Sequence, residues 1–161
     1  MNSIAAAALS PPLSRSASLW TGRTLSGLVI LFFLLDSAIK LPPLQPVIDT
    51  MGQLGWPADA ATARALGVLM IASIVLYAYP PTALIGAILI TGYLGGAVAT
   101  HVRIGSPIFS HTLFGVYVGV LAWAGLWLRN PRLRALLPII AGKESEPTAA
   151  ATALASKGKE P

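Results

Sequence analysis

The sequence predicts an all-α membrane protein, a four-transmembrane-helix up-down bundle. Of its 161 residues, 55% are hydrophobic and only 11% are charged, and the mean hydropathy is +0.71. A water-soluble domain usually carries about 25% charged residues, because water must solvate its surface. Between residues 24 and 128 the only charged residues are Asp36, Lys40, Asp49, Asp59, Arg64 and Arg103. This distribution indicates a middle region embedded in lipid and two ends in water.

Four apolar stretches predict the membrane spans, at roughly residues 25–41, 62–79, 82–100 and 112–128. About 20 residues of helix are needed to cross a hydrocarbon core about 30 Å thick. The first span is slightly short unless it extends back to Arg23. Proline pairs end the first span and separate the second from the third, since proline lacks the amide hydrogen that a helix interior needs.

Residues 23–138 form the predicted membrane domain, between two tails that are predicted to be disordered. The first tail, residues 1–22, is rich in Ala, Ser and Pro, and the second, residues 139–161, in Ala, Lys and Glu. Neither composition can bury a hydrophobic core. The one basic residue of the first tail, Arg15, follows its short apolar stretch, which disfavours a cleaved signal sequence.

The connecting segment, residues 42–61, contains no Lys or Arg. Its apolar residues suggest that it lies at the membrane interface. They are Val47, Ile48, Met51, Leu54 and Trp56.

The distribution of basic residues predicts the orientation, because cytoplasmic loops carry an excess of Lys and Arg. One side of the membrane receives Arg15, Arg23, Arg129, Arg132, Arg134 and Lys143. The other side receives Lys40, Arg64 and Arg103. Both termini are therefore expected in the cytoplasm.

Small residues spaced four apart predict close helix packing. The third span contains Gly92, Gly95 and Gly96, and the fourth contains Gly115 and Gly119. Small side chains let helix backbones approach, which provides van der Waals attraction within a membrane. We expect packing within one bundle, with self-association as the alternative.

Composition and motifs exclude several classes of function. The chain has no cysteine, which excludes disulfides, thiol redox chemistry and cysteine-ligated clusters. The net charge of +5 is explained by insertion topology and lipid head groups, so no nucleic-acid partner is expected. Two histidines with distant carboxylates make a poor metal site, and no metal is predicted. No hydrolase or phosphate-loop motif is present, so no catalytic residue is assigned.

A polar cluster is predicted at the non-cytoplasmic ends of the spans. Asp36 lies one turn inside the first helix, and Lys40 follows four residues later, a spacing that favours an ion pair. The up-down topology brings further polar residues to the same side, with Tyr93 about two turns farther in. They are Arg64, His101, Arg103 and His111.

Two interpretations of this cluster remain open. In the structural one, Asp36 pairs with Lys40, and Arg64 supplies a second clamp. In the other, the cluster is a pocket for the head group of a lipid-soluble ligand such as a quinone, because ionisable groups inside a membrane often mark function. Tyr93 or His101 would then hydrogen-bond a carbonyl, and Asp36 would handle protons. The residues of this hypothetical site are Asp36, Lys40, Arg64, Tyr93, His101 and Arg103.

The chain resembles the DoxX-like family of small bacterial membrane proteins. The resemblance covers about residues 25–138 and rests on residues 33–40, 66–68 with 76–82, 86–103 and 123–129. It implies a four-helix bundle in the bacterial inner membrane. The family name comes from a subunit of a thiosulfate:quinone oxidoreductase, and some related branches assist the assembly of other membrane proteins. Many relatives carry an acidic residue early in the second span, and residues 64–67 contain none.

We therefore expect an accessory or quinone-binding subunit linked to membrane redox metabolism, without independent catalytic activity. The alternative is a structural or chaperone-like partner of another membrane protein, with no ligand of its own. Apart from the lipid bilayer, the expected partner is another membrane protein or a second copy of the chain. A transporter or channel is disfavoured, since no line of polar residues crosses the spans.

Overall fold

Six α-helices and one π-helical turn make up residues 15–137, the part of the chain that the computed structural model describes. No strand occurs in that range. The helices are α1 (Arg15–Lys40), α2 (Gln45–Gln53), α3 (Ala60–Ala78), α4 (Ala83–Arg103), α5 (Phe114–Arg129) and α6 (Pro131–Leu136). The π-helical turn, Ile108–Thr112, precedes α5.

Four of these segments are long and apolar enough to cross a membrane, and they confirm the predicted fold class. They are Ser16–Lys40, Ala60–Ala78, Ala83–Arg103 and Ile108–Arg129. Helix α1 packs against α3 and α5, and α4 packs against the same two helices. The chain is thus an up-down bundle of four helices in a closed ring. We call its two ends the Lys40 end, where α1 finishes, and the Arg129 end, where α5 finishes.

Helix α1 starts earlier than the sequence predicted. Residues 15–22, assigned to the disordered tail, form the first two turns of α1, because Ser18 and Gly22 are buried against the end of α5. At about 1.5 Å per residue, the 26 residues of α1 span more than the hydrocarbon core. The predicted disorder of residues 1–14 and 139–161 falls outside the described part of the chain.

Most of each span faces outward with apolar side chains. Only 28–33% of the residues in the most hydrophobic window of each span are buried inside the bundle. Leu28, Leu35, Val75 and Ile88 are all more than half exposed. Such surfaces suit lipid, which solvates leucine as well as a protein interior does.

The buried Tyr77 joins three helices near the Arg129 end. Its hydroxyl donates a hydrogen bond to the carbonyl oxygen of Ala122 in α5, at 2.6 Å, and lies 3.1 Å from Ser26 Oγ in α1. Arg129 donates from Nη2 to the Tyr77 carbonyl oxygen at 2.6 Å. Polar atoms within a membrane need such internal partners, because lipid supplies none.

Helices α1 and α5 approach closely, as do α3 and α4, where a Cβ on Gly86 would overlap the Tyr77 backbone nitrogen. A Cβ atom on Gly22 would lie 2.7 Å from the Arg129 backbone nitrogen, and one on Gly125 would lie 2.9 Å from the Ser26 backbone nitrogen. Only glycine fits at either position without moving a backbone. The small residues that hold these two helices together are therefore Gly22 and Gly125, which the sequence analysis did not single out.

Helix α3 begins with a side-chain cap outside the membrane. The Asp59 carboxylate accepts hydrogen bonds from the Thr62 backbone N–H at 2.8 Å and from the Thr62 hydroxyl at 2.9 Å. The backbone bond, followed by the hydroxyl bond, holds the pKa of Asp59 below its usual value. This cap stabilises α3 at neutral pH, and its contribution is lost as the pH falls through the lowered pKa.

Replacing Gly22 or Gly125 with alanine is expected to destabilise the bundle by about 1–3 kcal/mol, because overpacking forces backbones apart. The matched control is Gly27→Ala in α1, where an added Cβ meets nothing within 4 Å. That change is expected to be neutral or slightly stabilising, because alanine favours helix over glycine. Thermal unfolding of the purified protein in detergent measures the stability of all three alanine variants. Equal effects at Gly27 and Gly125 would contradict the proposed helix contact.

Candidate functional site

A cavity of about 660 Å³ opens at the Lys40 end of the bundle. Its walls come from α1, α2, α3 and α4 and from the start of α5. The lining is mostly apolar, with Phe32, Phe33, Leu69, Leu94 and Phe114 among its residues. This volume lies within the roughly 300–1,000 Å³ typical of pockets for small organic ligands.

One wall of the cavity carries an ion pair. Lys40 Nζ lies 2.5 Å from Asp36 Oδ2, and the two side chains are 15% and 25% exposed respectively. Their spacing of four residues along α1 places both on one helix face. Mutual pairing makes it tolerable to keep these two charges at the edge of the membrane.

Tyr93 on α4 completes the polar part of this wall. Its side chain lines the same cavity as Lys40 and Asp36, and its ring stands edge-on to Phe33 at a centroid distance of 6.4 Å. A cation, a carboxylate and a phenol thus meet beside an aromatic ring. This set can both donate hydrogen bonds to a ligand oxygen and accept a proton from it.

Helix α2 and the residues after it form the outer wall of the cavity. Met51 is buried, and Val47, Thr50 and Trp56 also line the space. Trp56 donates from Nε1 to Thr100 Oγ1 in α4 at 3.3 Å. The apolar side predicted for residues 42–61 therefore faces the cavity through Val47, Met51 and Trp56.

Two histidines lie together where α4 ends and the π-helical turn begins. The ring centroids of His101 and His111 are 5.8 Å apart, and both residues line the cavity. Their Nδ1 atoms lie 2.9 Å from Ser106 Oγ and 2.8 Å from Ser110 Oγ respectively. Within residues 15–137, no group of three His, Cys, Asp or Glu residues could hold a metal ion.

Four of the six predicted site residues line the cavity, and two do not. Asp36, Lys40, Tyr93 and His101 are lining residues. Arg64 is exposed and donates from Nε to the Leu41 carbonyl oxygen at 3.3 Å.

Arg103 is the second arginine that does not line the cavity. It donates from Nη2 to the Leu54 carbonyl oxygen at 2.8 Å and lies beside Gly55, whose positive φ of 72° suits glycine. It therefore holds the segment after α2 in place. Sequence reasoning missed the lining role of α2, because an apolar side suits a membrane interface equally well.

The glycines predicted to pack helices fall into two groups. Gly115 and Gly119 do contact α4, since added Cβ atoms would lie 3.0 Å from Val98 and 3.6 Å from Leu94 respectively. At Gly92, Gly95 and Gly96 an added Cβ would meet no atom within 4 Å. A side chain added at any of these three positions would therefore enter open space within the described bundle.

Gly92 and Gly96 have a different position from Gly95. The first two line the cavity, and Gly95 does not. The absence of side chains at Gly92 and Gly96 therefore leaves room in the cavity. Self-association through Gly95 stays a prediction.

The geometry suits a lipophilic molecule that carries oxygen atoms. Apolar and aromatic walls would contact its body, and Lys40, Tyr93 and His101 offer hydrogen-bond donors within the lining. A few polar groups in an apolar pocket fix the orientation of a ligand.

Comparison with known proteins gives one family. The model of the DoxX-like family matches residues 24–125, which include all four spans except the beginning of the first and the end of the fourth. Neither the curated proteins nor the solved structures give a significant match.

Removing the carboxylate of the ion pair tests how much the pair contributes to the stability of the fold. Asp36→Asn leaves the Lys40 ammonium without its anion, and we expect a loss of about 1–3 kcal/mol of stability. The double variant Asp36→Asn with Lys40→Gln should recover most of that loss, because no unpaired charge remains. Thermal unfolding in detergent, analysed as a double-mutant cycle, gives the coupling energy. Additive effects of the two changes would show that the pair does not stabilise the fold.

Proposed function

The chain belongs to the DoxX-like family, and from this premise and the geometry of the cavity we propose that it binds a quinone-type lipophilic ligand. In this proposal the protein is an accessory subunit linked to membrane redox metabolism, and it has no catalytic set of its own. The observation that carries the proposal is the meeting of Lys40, Asp36 and Tyr93 at the wall of an apolar cavity.

The head group of a quinone has two carbonyl oxygens on a flat, apolar ring. Phe32 and Phe114 line the cavity and are exposed, so they offer aromatic surface to such a ring, since aromatic pairs favour edge-on or offset contact. The Lys40 ammonium and the Tyr93 hydroxyl are the donors that would bind a carbonyl oxygen. Charge-assisted hydrogen bonds of this kind are stronger than neutral ones.

Protonation of a bound quinone would draw on the groups at the same wall. Asp36 is the carboxylate nearest to these donors, through its contact with Lys40. His101 lies at the open end of the same lining. A histidine has two ring nitrogens and can pass a proton between a site and water. These residues would bind the ligand and hold protons, while electrons would come from a partner protein.

A second candidate function rests on the observation that both partners of the ion pair belong to this chain. Lys40 and Asp36 already satisfy each other, as a purely structural role requires. The protein would then accompany another membrane protein in its assembly, without a ligand. The exposed surface at Gly95 leaves a helix face open to close approach by a partner helix.

The proposed location is the bacterial inner membrane, with both termini in the cytoplasm. Arg23, Arg129, Arg132 and Arg134 lie at the Arg129 end, which the excess of basic residues assigns to the cytoplasm. The chain has no cysteine, so single cysteines report topology cleanly. Gln53→Cys should react with an impermeant maleimide in intact spheroplasts, and Ala135→Cys only after lysis. The reverse pattern would invert the proposed orientation.

Filling the cavity tests ligand binding directly. We expect Gly96→Leu to remove co-purifying quinone, because its side chain would occupy cavity space, while Gly95→Leu retains it. Both positions are open to an added Cβ, so the two variants differ in their relation to the cavity and not in local crowding. The measurement is mass spectrometry of quinone extracted from purified protein, at matched protein amount and against bulk lipid.

Two outcomes would decide against the quinone proposal. One is no enrichment of quinone over bulk lipid in the wild-type protein, which would favour the assembly role. The other is equal quinone in the Gly95→Leu and Gly96→Leu variants, which would place bound quinone outside the cavity. Asp36→Asn, included at matched protein amount, should also lose quinone if the ion pair orients the ligand.

A further inference from the structure

The charges of the described chain are separated between the two ends of the bundle. Within residues 15–137 the only acidic residues are Asp36, Asp49 and Asp59, and all three lie at or near the Lys40 end. The Arg129 end carries Arg23, Arg129, Arg132 and Arg134. No acidic side chain of the described range is available there to neutralise these four guanidinium groups.

Three chain segments meet at the Arg129 end. Ser18 Oγ in α1 donates to the Leu128 carbonyl oxygen of α5 at 3.4 Å, and Arg134 Nη1 in α6 donates to Ser18 Oγ at 3.4 Å. Asn130 caps α6 by accepting from the backbone N–H groups of Arg132 and Leu133. The first turns of α1, the end of α5 and α6 therefore form one surface.

The arginines of this surface divide into two inner and two outer ones. Arg129 bonds the Tyr77 carbonyl oxygen and lies over the Tyr77 ring, and Arg134 lies over the Trp127 ring. These two serve the packing of the bundle. Arg23 and Arg132 are exposed, and both guanidinium groups can reach a partner outside the chain.

Apolar groups accompany the outer arginines. Trp20 is 65% exposed and lies beside Arg23, whose Cζ is 5.6 Å from the ring centroid. Helix α6 buries Leu133 against the bundle and leaves Leu136 76% exposed. Tryptophan and leucine next to arginine suit the boundary between lipid head groups and acyl chains.

We propose that the Arg129 end binds anionic phospholipid, with Arg23 and Arg132 contacting the head-group phosphate. Trp20 and Leu136 would lie at the level where the acyl chains begin. Charge complementarity selects this occupant, because the surface is wholly cationic within the described range and flanks membrane spans. Arginine matches a phosphate with two parallel hydrogen bonds, which adds geometric preference to the attraction.

The test compares lipids of different charge with the full chain in a neutral detergent. Binding of phosphatidylglycerol and of phosphatidylcholine is measured by native mass spectrometry. We expect phosphatidylglycerol to be retained preferentially by the wild-type protein. The double variant Arg23→Gln with Arg132→Gln should lose this preference. We expect its binding of phosphatidylglycerol to weaken roughly fivefold for each arginine removed. Arg64→Gln, an exposed arginine at the Lys40 end, is the matched control and should retain it.

A charge-preserving variant distinguishes loss of lipid binding from loss of folding. Arg23→Lys with Arg132→Lys should keep most of the preference, since the positive charge remains, and its unfolding temperature without lipid should match that of the glutamine variant. Equal retention of both lipids by the wild-type protein, or an unchanged preference in the glutamine variant, overturns the proposal. So does full competition by inorganic phosphate at the same concentration, which would reveal a site for a free anion.

Discussion

The contact between α1 and α5 positions the rest of this membrane domain. At Gly22 and Gly125 the two backbones approach so closely that neither position has room for a Cβ. Lipid offers no hydrophobic gain for helix association, so close packing and internal hydrogen bonds must supply it. The Tyr77 hydroxyl adds the hydrogen bonds, because it bonds α5 and lies beside Ser26 of α1. Helix α1 is thus fixed at the Arg129 end, and its other end carries the charges of the cavity.

At the Lys40 end the helices separate and leave space between them. Helix α1 still touches α3 there, since a Cβ on Gly67 would lie 3.2 Å from Lys40 Cβ. Helix α4, by contrast, presents Gly92 and Gly96 to open space. A bundle tight at one end and open at the other can keep one end rigid while a ligand occupies the other. The ion pair of Asp36 and Lys40 lies where the open part begins, which is why its two charges stay partly accessible.

The sequence predicted the number and order of the spans, because hydropathy measures what lipid tolerates. It also predicted the ion pair, because spacing within one helix fixes which residues are neighbours. It did not predict which side of α3 and of α4 faces the neighbouring helices. These helices are apolar around their whole circumference, so their pattern does not distinguish the side that faces a neighbour. For that reason Arg64 and Arg103 were grouped with the cavity, and Gly92 and Gly96 with the helix contacts.

The start of α1 and the role of α2 were missed for a related reason. Residues 15–22 contain polar side chains such as Ser18 and Thr21, so hydropathy begins the span too late, although Ser18 hydrogen-bonds a carbonyl oxygen at the end of α5. In α2, the apolar side that suits a membrane surface also suits a cavity wall. The hydrogen bonds from Trp56 to Thr100 and from Arg103 to Leu54 distinguish the two, and both join residues far apart in the sequence.

Photolabelling of the protein in native membranes tests the central claim, that the cavity binds a quinone, most directly. A photoreactive quinone would be activated by light, and the labelled peptides would be identified by mass spectrometry. The account predicts labels on residues 32–40 of α1 and 92–101 of α4, and their loss when unlabelled quinone competes. Labels spread over lipid-facing residues such as Leu28 and Ile88, without competition, would contradict it.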